Sequence, residues 1–162
     1  MTIDVVRKWG IASLGSRFVR IGERLRAHSQ DLMEAHSVTI PVHHYPLLTA
    51  VRENNGLSVS DLATSLGVSQ PGVTRSVNQL TDQGLVQVAA GQSDKRVRLV
   101  TITDAGRQVL TYAETHFWPL IERELRTVLG DEADQLLRLL NRLEDQIEER
   151  KFFVNAERNH HG

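Results

Sequence analysis

The feature that most constrains the fold lies in the middle of the chain, where the sequence predicts two short helices separated by a three-residue turn. Ser60 is predicted to cap the first helix, which spans residues 61–66, and Gly67 closes it. Ser69 is predicted to cap the second helix, which occupies residues 70–83. Two short helices joined by a tight glycine-containing turn form a helix-turn-helix, whose second helix can enter the DNA major groove.

The second of these helices has one apolar and one polar face. Apolar residues recur at helical spacing at Val73, Val77 and Leu80, which we expect to be buried. The opposite face carries side chains able to bond to base edges or phosphates, and Gly72 allows a close approach of the backbone. The candidate DNA contacts on this helix and its cap are Ser69, Gln70, Gly72, Thr74, Arg75 and Asn78.

A β-hairpin is predicted directly after this helix. Its strands span residues 85–89 and 97–102, with a polar loop at residues 90–96. A helix-turn-helix followed by a two-stranded ribbon is a winged helix. An amphipathic helix packed inside an ordinary helical protein is the alternative interpretation of the second helix, and the hairpin makes that alternative the weaker one.

A resemblance to MarR-family bacterial transcription regulators covers residues 57–110. It rests on the run LSVSDLATSLGVSQPGVTRSVNQLTDQGLV and on SDKRVRLVTITDAG. The most specific part of the second run is the D-x-R at residues 94–96, followed by a strand and by T-x-x-G at residues 103–106. In this family the outer helices interlock two subunits, and the dimer binds a pseudo-palindromic operator.

The resemblance also implies roles for individual residues. It places Thr74, Arg75 and Asn78 on the recognition helix. It places Arg96 at the wing tip in the minor groove, with Asp94 positioning this arginine and with Lys95 and Arg98 contacting the DNA backbone. These roles agree with the attraction of arginine to the negative potential of a narrow minor groove.

One departure from the family pattern concerns the first wing strand. The family often has arginines there, whereas this chain has Gln87, Val88, Ala89 and Ala90. Fewer phosphate contacts predict weaker DNA binding or a smaller salt dependence. The basic N-terminal segment is a candidate source of compensating contacts.

The fold class expected from these patterns is mainly α with a small β-hairpin wing, in which N- and C-terminal dimerisation helices flank a winged helix-turn-helix. We expect a single domain over residues 1–162. Its predicted parts are dimerisation helices at 12–35 and 132–150, the winged helix-turn-helix at 42–103, a connecting helix at 104–129 kinked at Trp118-Pro119, and a tail at 152–162.

The composition excludes several other classes of protein. The chain has no cysteine, which excludes disulfide frameworks, thiolate zinc fingers and thiol nucleophiles. No segment resembles a signal peptide or a membrane span, and a cytoplasmic protein is therefore expected. No catalytic or cofactor-binding motif is present, so we expect neither an enzyme nor a cofactor.

The net charge of −1 gives no indication of a nucleic-acid partner, but the charges are unevenly distributed. Residues 1–30 carry six bases and two acids, whereas residues 131–162 carry eight acids and five bases. Such asymmetry can mark a face turned toward a polyanion, but charge alone favours the interpretation as ordinary solvated helix surface. The histidines form no pair one helical turn apart, and we predict no metal site.

The connecting helix joins the DNA-binding lobe to the dimer helices, and a cleft between those two regions is the expected site of a small aromatic effector. Its predicted walls are Phe18, His36, Tyr45, Tyr112, His116 and Trp118, and ordinary core packing is the alternative interpretation of these aromatic residues. The sequence thus predicts a DNA-binding transcription regulator. We expect a repressor that binds its operator as a homodimer and is released by a small molecule. The alternative is a helical protein-interaction module whose winged helix no longer binds DNA.

Overall fold

The computed structural model describes residues 3–90 and 98–148. The wing-tip residues Asp94, Lys95 and Arg96 and the tail at residues 152–162 lie outside the described residues. By their internal contacts, residues 1–118 and 119–162 form two compact units, which are considered in turn. The described elements are helices and one antiparallel two-stranded sheet, which confirms the predicted fold class.

The first unit opens with a short N-terminal segment bound to a long helix. Helix α1 (Val5–Lys8) and a 3₁₀ turn (Gly10–Ser13) precede helix α2 (Leu14–Ala35). The hydroxyl of Ser13 donates to the carbonyl of Val6 at 2.6 Å. Arg20 on α2 contacts both carboxylate oxygens of Asp4 at 3.1 Å. These bonds fix the segment on α2. This helix begins at Leu14, two residues after the start of the predicted helix at 12–35, and ends at the predicted residue.

The winged helix-turn-helix follows. Apolar side chains that recur at regular spacing in its elements pack together to form the core. Its elements are α3 (Tyr45–Glu53), α4 (Val59–Leu66), α5 (Gln70–Asp82), β1 (Val86–Ala90), β2 (Arg98–Ile102) and α6 (Asp104–His116). Strands β1 and β2 are antiparallel, with Val86 opposite Ile102 and Val88 opposite Val100. Fully buried side chains at the centre include Leu48, Val51, Leu62, Leu80, Val100, Leu110 and Phe117.

The first helix of the helix-turn-helix begins earlier than the sequence predicted. The cap of α4 is Ser58 and not Ser60, which lies in the first turn of the helix. The Ser58 hydroxyl accepts from the backbone N–H of Asp61 at 3.1 Å and donates to its carboxylate at 2.7 Å. This reciprocal pair is a variant of the capping box, and the acid three residues after Ser58 is the sequence signal that identifies it.

The predicted signals at the second helix are confirmed. Gly67 ends α4 in the left-handed region at φ +63°, which a residue with a Cβ adopts only at a cost. Ser69 caps α5 by accepting from the N–H of Gly72 at 3.3 Å, and a proline follows in the first turn. Helix α5 therefore begins at the residue that the sequence indicated.

A polar joint connects the recognition helix, the hairpin and α6. The Thr103 hydroxyl donates to the carbonyl of Gly84 at 2.7 Å and accepts from the N–H of Gly106 at 3.1 Å. Gly106 is buried because α6 packs directly on the backbone of Leu85. The joint fixes where α6 starts relative to the end of α5 and the base of the wing.

Helix α6 is also bound to α3 by an ion pair. Arg52 of α3 donates from its two terminal nitrogens to the two carboxylate oxygens of Glu114, at 2.8 and 2.7 Å. The guanidinium holds the pKa of Glu114 below its usual range. The pair adds a directional contact at the edge of the apolar core.

The second unit starts at Pro119 and contains helix α7 (Trp118–Leu129) apart from its first residue, and helix α8 (Ala133–Glu148), with a 3₁₀ turn (Gly130–Glu132) between them. The predicted connecting helix at 104–129 is thus two helices, α6 and α7, interrupted at Phe117. Pro119 explains the interruption, because its ring lacks the N–H that would continue the helical hydrogen bonds.

Helix α8 has exposed apolar side chains at Leu136, Leu137, Leu139 and Ile147. None of the described helices combines the length and the apolar character that a membrane span requires.

Candidate nucleic-acid interface

Helix α5 separates its buried and exposed faces as the sequence predicted. Val73, Val77 and Leu80 are at most 4% exposed and fix the helix on the core. The other face carries the predicted DNA contacts, of which Ser69, Gln70, Thr74, Arg75 and Asn78 are exposed and Gly72 is half-buried. A helix held by one face, with short polar groups on the other, fits the major groove, which is about 12 Å wide.

The N-terminal turn of α5 is closely packed. A Cβ added to Gly72 would lie 3.2 Å from the Ser69 hydroxyl that caps the helix. Glycine at this position therefore preserves the cap and keeps the backbone accessible.

Hydrogen bonds orient two of the predicted base contacts. The Thr74 hydroxyl donates to the Gln70 carbonyl at 3.0 Å. The side-chain Nε2 of Gln70 donates to the hydroxyl of Ser60 on α4 at 3.1 Å. Ser60 was not among the residues predicted to take part in the site, because its contact with Gln70 depends on how α4 and α5 pack.

Two arginines of the predicted interface lie within the described residues. Arg75 is exposed on α5, and Arg98 is exposed at the start of β2, where it pairs with Ala90. On β1 the exposed side chains Gln87 and Ala89 are uncharged. The described part of the wing therefore presents its positive charge from β2.

A cleft of about 530 Å³ opens beside α5. It lies between the start of α3, the end of α4 and the recognition helix. Its lining includes His43, Leu47, Leu66, Arg75, Ser76 and Gln79. These residues differ from the six predicted effector contacts, and the cleft adjoins the face predicted to meet DNA.

A buried histidine lies under this region. His44 is 1% exposed, and its ring lies 4.1 Å from that of His43. Burial, followed by the neighbouring charge of His43, lowers the pKa of His44, and a hydrogen bond with Gln79 of α5 partly opposes this shift. Its Nδ1 has no hydrogen-bond partner among the described residues. The core therefore favours the neutral imidazole.

The six predicted effector contacts are only partly grouped. Tyr112 stacks on His116 with ring centroids 4.2 Å apart, and both Tyr112 and His36 pack edge-on against Phe117. Tyr45 is buried and packs edge-on against Trp118 at 5.3 Å. Burial raises the pKa of Tyr45 to about 12. Phe18 lies on α2 and is 40% exposed.

Among the described residues, no group of three or more histidine, aspartate or glutamate side chains is arranged to hold a metal ion.

Comparison with protein families gives a match over the DNA-binding region. A family model described as the MarR family matches residues 38–97. This range contains the helix-turn-helix and the hairpin loop.

Solved structures with similar folds cover most of the chain. The transcriptional repressor CouR bound to a 23-mer DNA duplex has 26% identity and a TM-score of 0.72, over 81% of this chain and 92% of that one. A MarR/EmrR family regulator from Acinetobacter sp. ADP1 has 21% identity and a TM-score of 0.71, over 91% and 99%. Bordetella bronchiseptica BpsR, whose DNA binding is regulated by 6-hydroxynicotinic acid, has 22% identity and a TM-score of 0.67, over 81% and 92%.

Proposed function

We propose that this chain is a winged helix-turn-helix transcription regulator of the MarR family, and that it represses transcription by binding a pseudo-palindromic operator as a homodimer. Members of this family are regulators of transcription and not enzymes. The observation that carries the proposal is α5, whose apolar face is buried while its polar face is exposed. CouR, a repressor of similar fold, is bound to duplex DNA.

The interface residues have distinct proposed roles. Gln70, Thr74 and Asn78 contact base edges in the major groove, while Arg75 contacts either a guanine edge or a phosphate. Arg98 contacts the backbone from the wing. Asp94, Lys95 and Arg96 complete the wing contacts, with Arg96 in the minor groove.

Exposed apolar helix faces support the homodimer. On α2, Phe18, Val19, Ile21 and Leu25 are 40–62% exposed, and α8 has a similar stripe. Soluble monomers rarely expose large contiguous apolar patches, so these faces are expected to be covered by a second copy. A two-fold dimer would place its recognition helices about 34–36 Å apart, one turn of DNA.

The test is selection of bound fragments from a genomic DNA library, followed by affinity measurements at several salt concentrations. Arg75→Ala should weaken operator binding at least about tenfold, the effect of losing a good base contact. Arg107→Ala on α6, an exposed arginine outside the proposed interface, is the matched control. Absence of sequence-specific binding by the unaltered protein would instead favour a protein-interaction module.

We also propose release by a small aromatic effector at the cluster of Tyr112, His116 and His36 around Phe117. These three side chains are exposed, and the Nε2 atoms of the two histidines, whose Nδ1 atoms face backbone carbonyls, suit a planar ligand with a polar group. The similar fold of BpsR, which responds to 6-hydroxynicotinic acid, supports this class of ligand. Aromatic carboxylates titrated with and without operator should bind about 5–150-fold more weakly to the DNA complex. Equal affinity in both states would reject this mechanism.

A further inference from the structure

The Gln70 side chain is held before any DNA is present. Gln70 is the first residue of α5, and its Nε2 donates to the Ser60 hydroxyl at 3.1 Å. Ser60 lies in the first turn of α4, which is fixed by the Ser58 cap and by a bond from the Thr64 hydroxyl to the Ser60 carbonyl at 3.2 Å. The exposed amide is therefore anchored to a helix other than its own.

This hydrogen bond uses only part of the bonding capacity of the amide. A carboxamide has two N–H donors and one carbonyl acceptor. One N–H bonded to Ser60 leaves the other N–H and Oε1 available. When the bonded hydrogen is the one directed away from Oε1, the remaining donor and acceptor lie on the same edge of the planar group.

That edge matches adenine in the major groove. Glutamine reads adenine by accepting from the N6 amino group and donating to N7. We infer that Ser60 is a positioning residue, which orients the Gln70 carboxamide to read an A·T base pair in each half-site. The inference rests on the proposed DNA-binding function. Ordering the side chain before binding reduces the entropy lost when the contact forms.

The Thr74 hydroxyl bonds the main chain of Gln70 and not its side chain. It donates to the backbone carbonyl of Gln70 one turn earlier in the helix. The main chain and the side chain of Gln70 thus have separate partners. Removing the Ser60 hydroxyl should release the carboxamide while leaving the start of the helix in place.

The test is a double-mutant cycle measured on operator duplexes in which each base pair is changed in turn. Gln70→Ala identifies the pair that this residue reads. Ser60→Ala should reduce discrimination at that pair by about threefold to tenfold, the effect of losing one hydrogen bond. Ser60→Thr, which keeps a hydroxyl, should restore it. In the Gln70→Ala background, Ser60→Ala should change discrimination no further.

Two comparisons separate positioning from a general structural effect. Ser65→Ala removes an exposed hydroxyl from the same helix and should leave base preference unchanged. Replacing the adenine by 7-deazaadenine, which lacks the N7 acceptor, should weaken DNA binding by the unaltered protein more than it weakens DNA binding by the Ser60→Ala variant.

The inference is overturned if Ser60→Ala retains full discrimination, or if it weakens all duplexes equally in both backgrounds. If the unaltered protein shows no sequence preference at all, the proposed function itself fails. The two failures are therefore distinguishable.

Discussion

At the scale of single residues, Gly106 shows how closely the start of α6 packs on the hairpin. A Cβ at this position would lie 2.8 Å from Cγ1 of Ile102 and closer still to the carbonyl oxygen of Leu85. That oxygen belongs to the backbone at the base of the wing and accepts from the Thr103 N–H at 3.1 Å. Relieving the overlap with an added Cβ would therefore require the main chain at the base of the wing to move.

Gly106→Ala should lower the free energy of unfolding by at least about 2 kcal/mol, because overpacking against backbone is poorly relieved. The control is Ser65→Ala, which changes an exposed side chain of α4 and should alter stability by less than about 0.5 kcal/mol. Denaturant unfolding at one protein concentration measures both changes. Equal effects of the two substitutions would contradict the packing described at Leu85.

His44 should make stability depend on pH. Its pKa is lowered in the folded protein by burial and by the charge of His43, whereas the unfolded chain binds a proton at the ordinary value of about 6.5. Stability is therefore highest above about pH 6.5 and falls as the pH drops toward the lowered folded-state pKa. The free energy of unfolding should decrease from about pH 7.5 to about pH 5.5, and less so in His44→Gln. His28→Gln, at an exposed histidine of α2, is the control. An unchanged pH slope in His44→Gln would contradict this prediction.

At the scale of elements, the features predicted most reliably from the sequence are helix caps and helix ends, which depend on residues close together in the chain. The Ser69 cap and the end of α4 at Gly67 each depend on contacts within four residues. The predicted cap at Ser60 was wrong because Ser58 and Ser60 are both good caps by type. Only Ser58 has an acid three residues later.

Contacts between distant elements were beyond prediction from one sequence. Arg52 and Glu114 are 62 residues apart, and their pairing depends on how α3 packs against α6. The same holds for Gln70 with Ser60 and for Phe117, whose burial places it at the centre of the aromatic cluster. Apolar spacing identified which helix faces are buried, but not which side chains meet there.

The ion pair between α3 and α6 gives a prediction at this scale. Glu114→Gln should lower the free energy of unfolding by about 0.5–1 kcal/mol at neutral pH, since the pair is partly exposed and screened. The pKa of Glu114 is lowered in the folded state, so its contribution is present above the ordinary value and is lost as the pH falls through the lowered one. Chemical unfolding at neutral and acidic pH measures the difference between the two proteins. Glu122→Gln, in an exposed pair with Arg126, should have a smaller effect. A difference that persists in strong acid would contradict the ion-pair explanation.

At the scale of the whole molecule, the exposed stripe of α8 predicts association. Leu136 and Ile147 are 37% and 54% exposed, so polar replacements there remove little packing within one chain. The unaltered protein should sediment as a dimer at micromolar concentration, and Leu136→Asp with Ile147→Asp should shift it to monomer and weaken operator binding. Gln135→Asp and Gln146→Asp, on the same helix, are the matched controls. A stable monomer of the unaltered protein would refute the dimer.

The separation of faces on α5 affects how such a protein can evolve. Residues that hold the helix, such as Val73 and Val77, are distinct from those that face outward, such as Thr74 and Asn78. Substitutions at exposed positions typically change stability by less than about 0.5 kcal/mol. A duplicated gene can therefore acquire a new target sequence through changes on one helix face without first gaining extra stability. Gln70 is the exception, because its partner Ser60 lies on another helix and the two positions should diverge together.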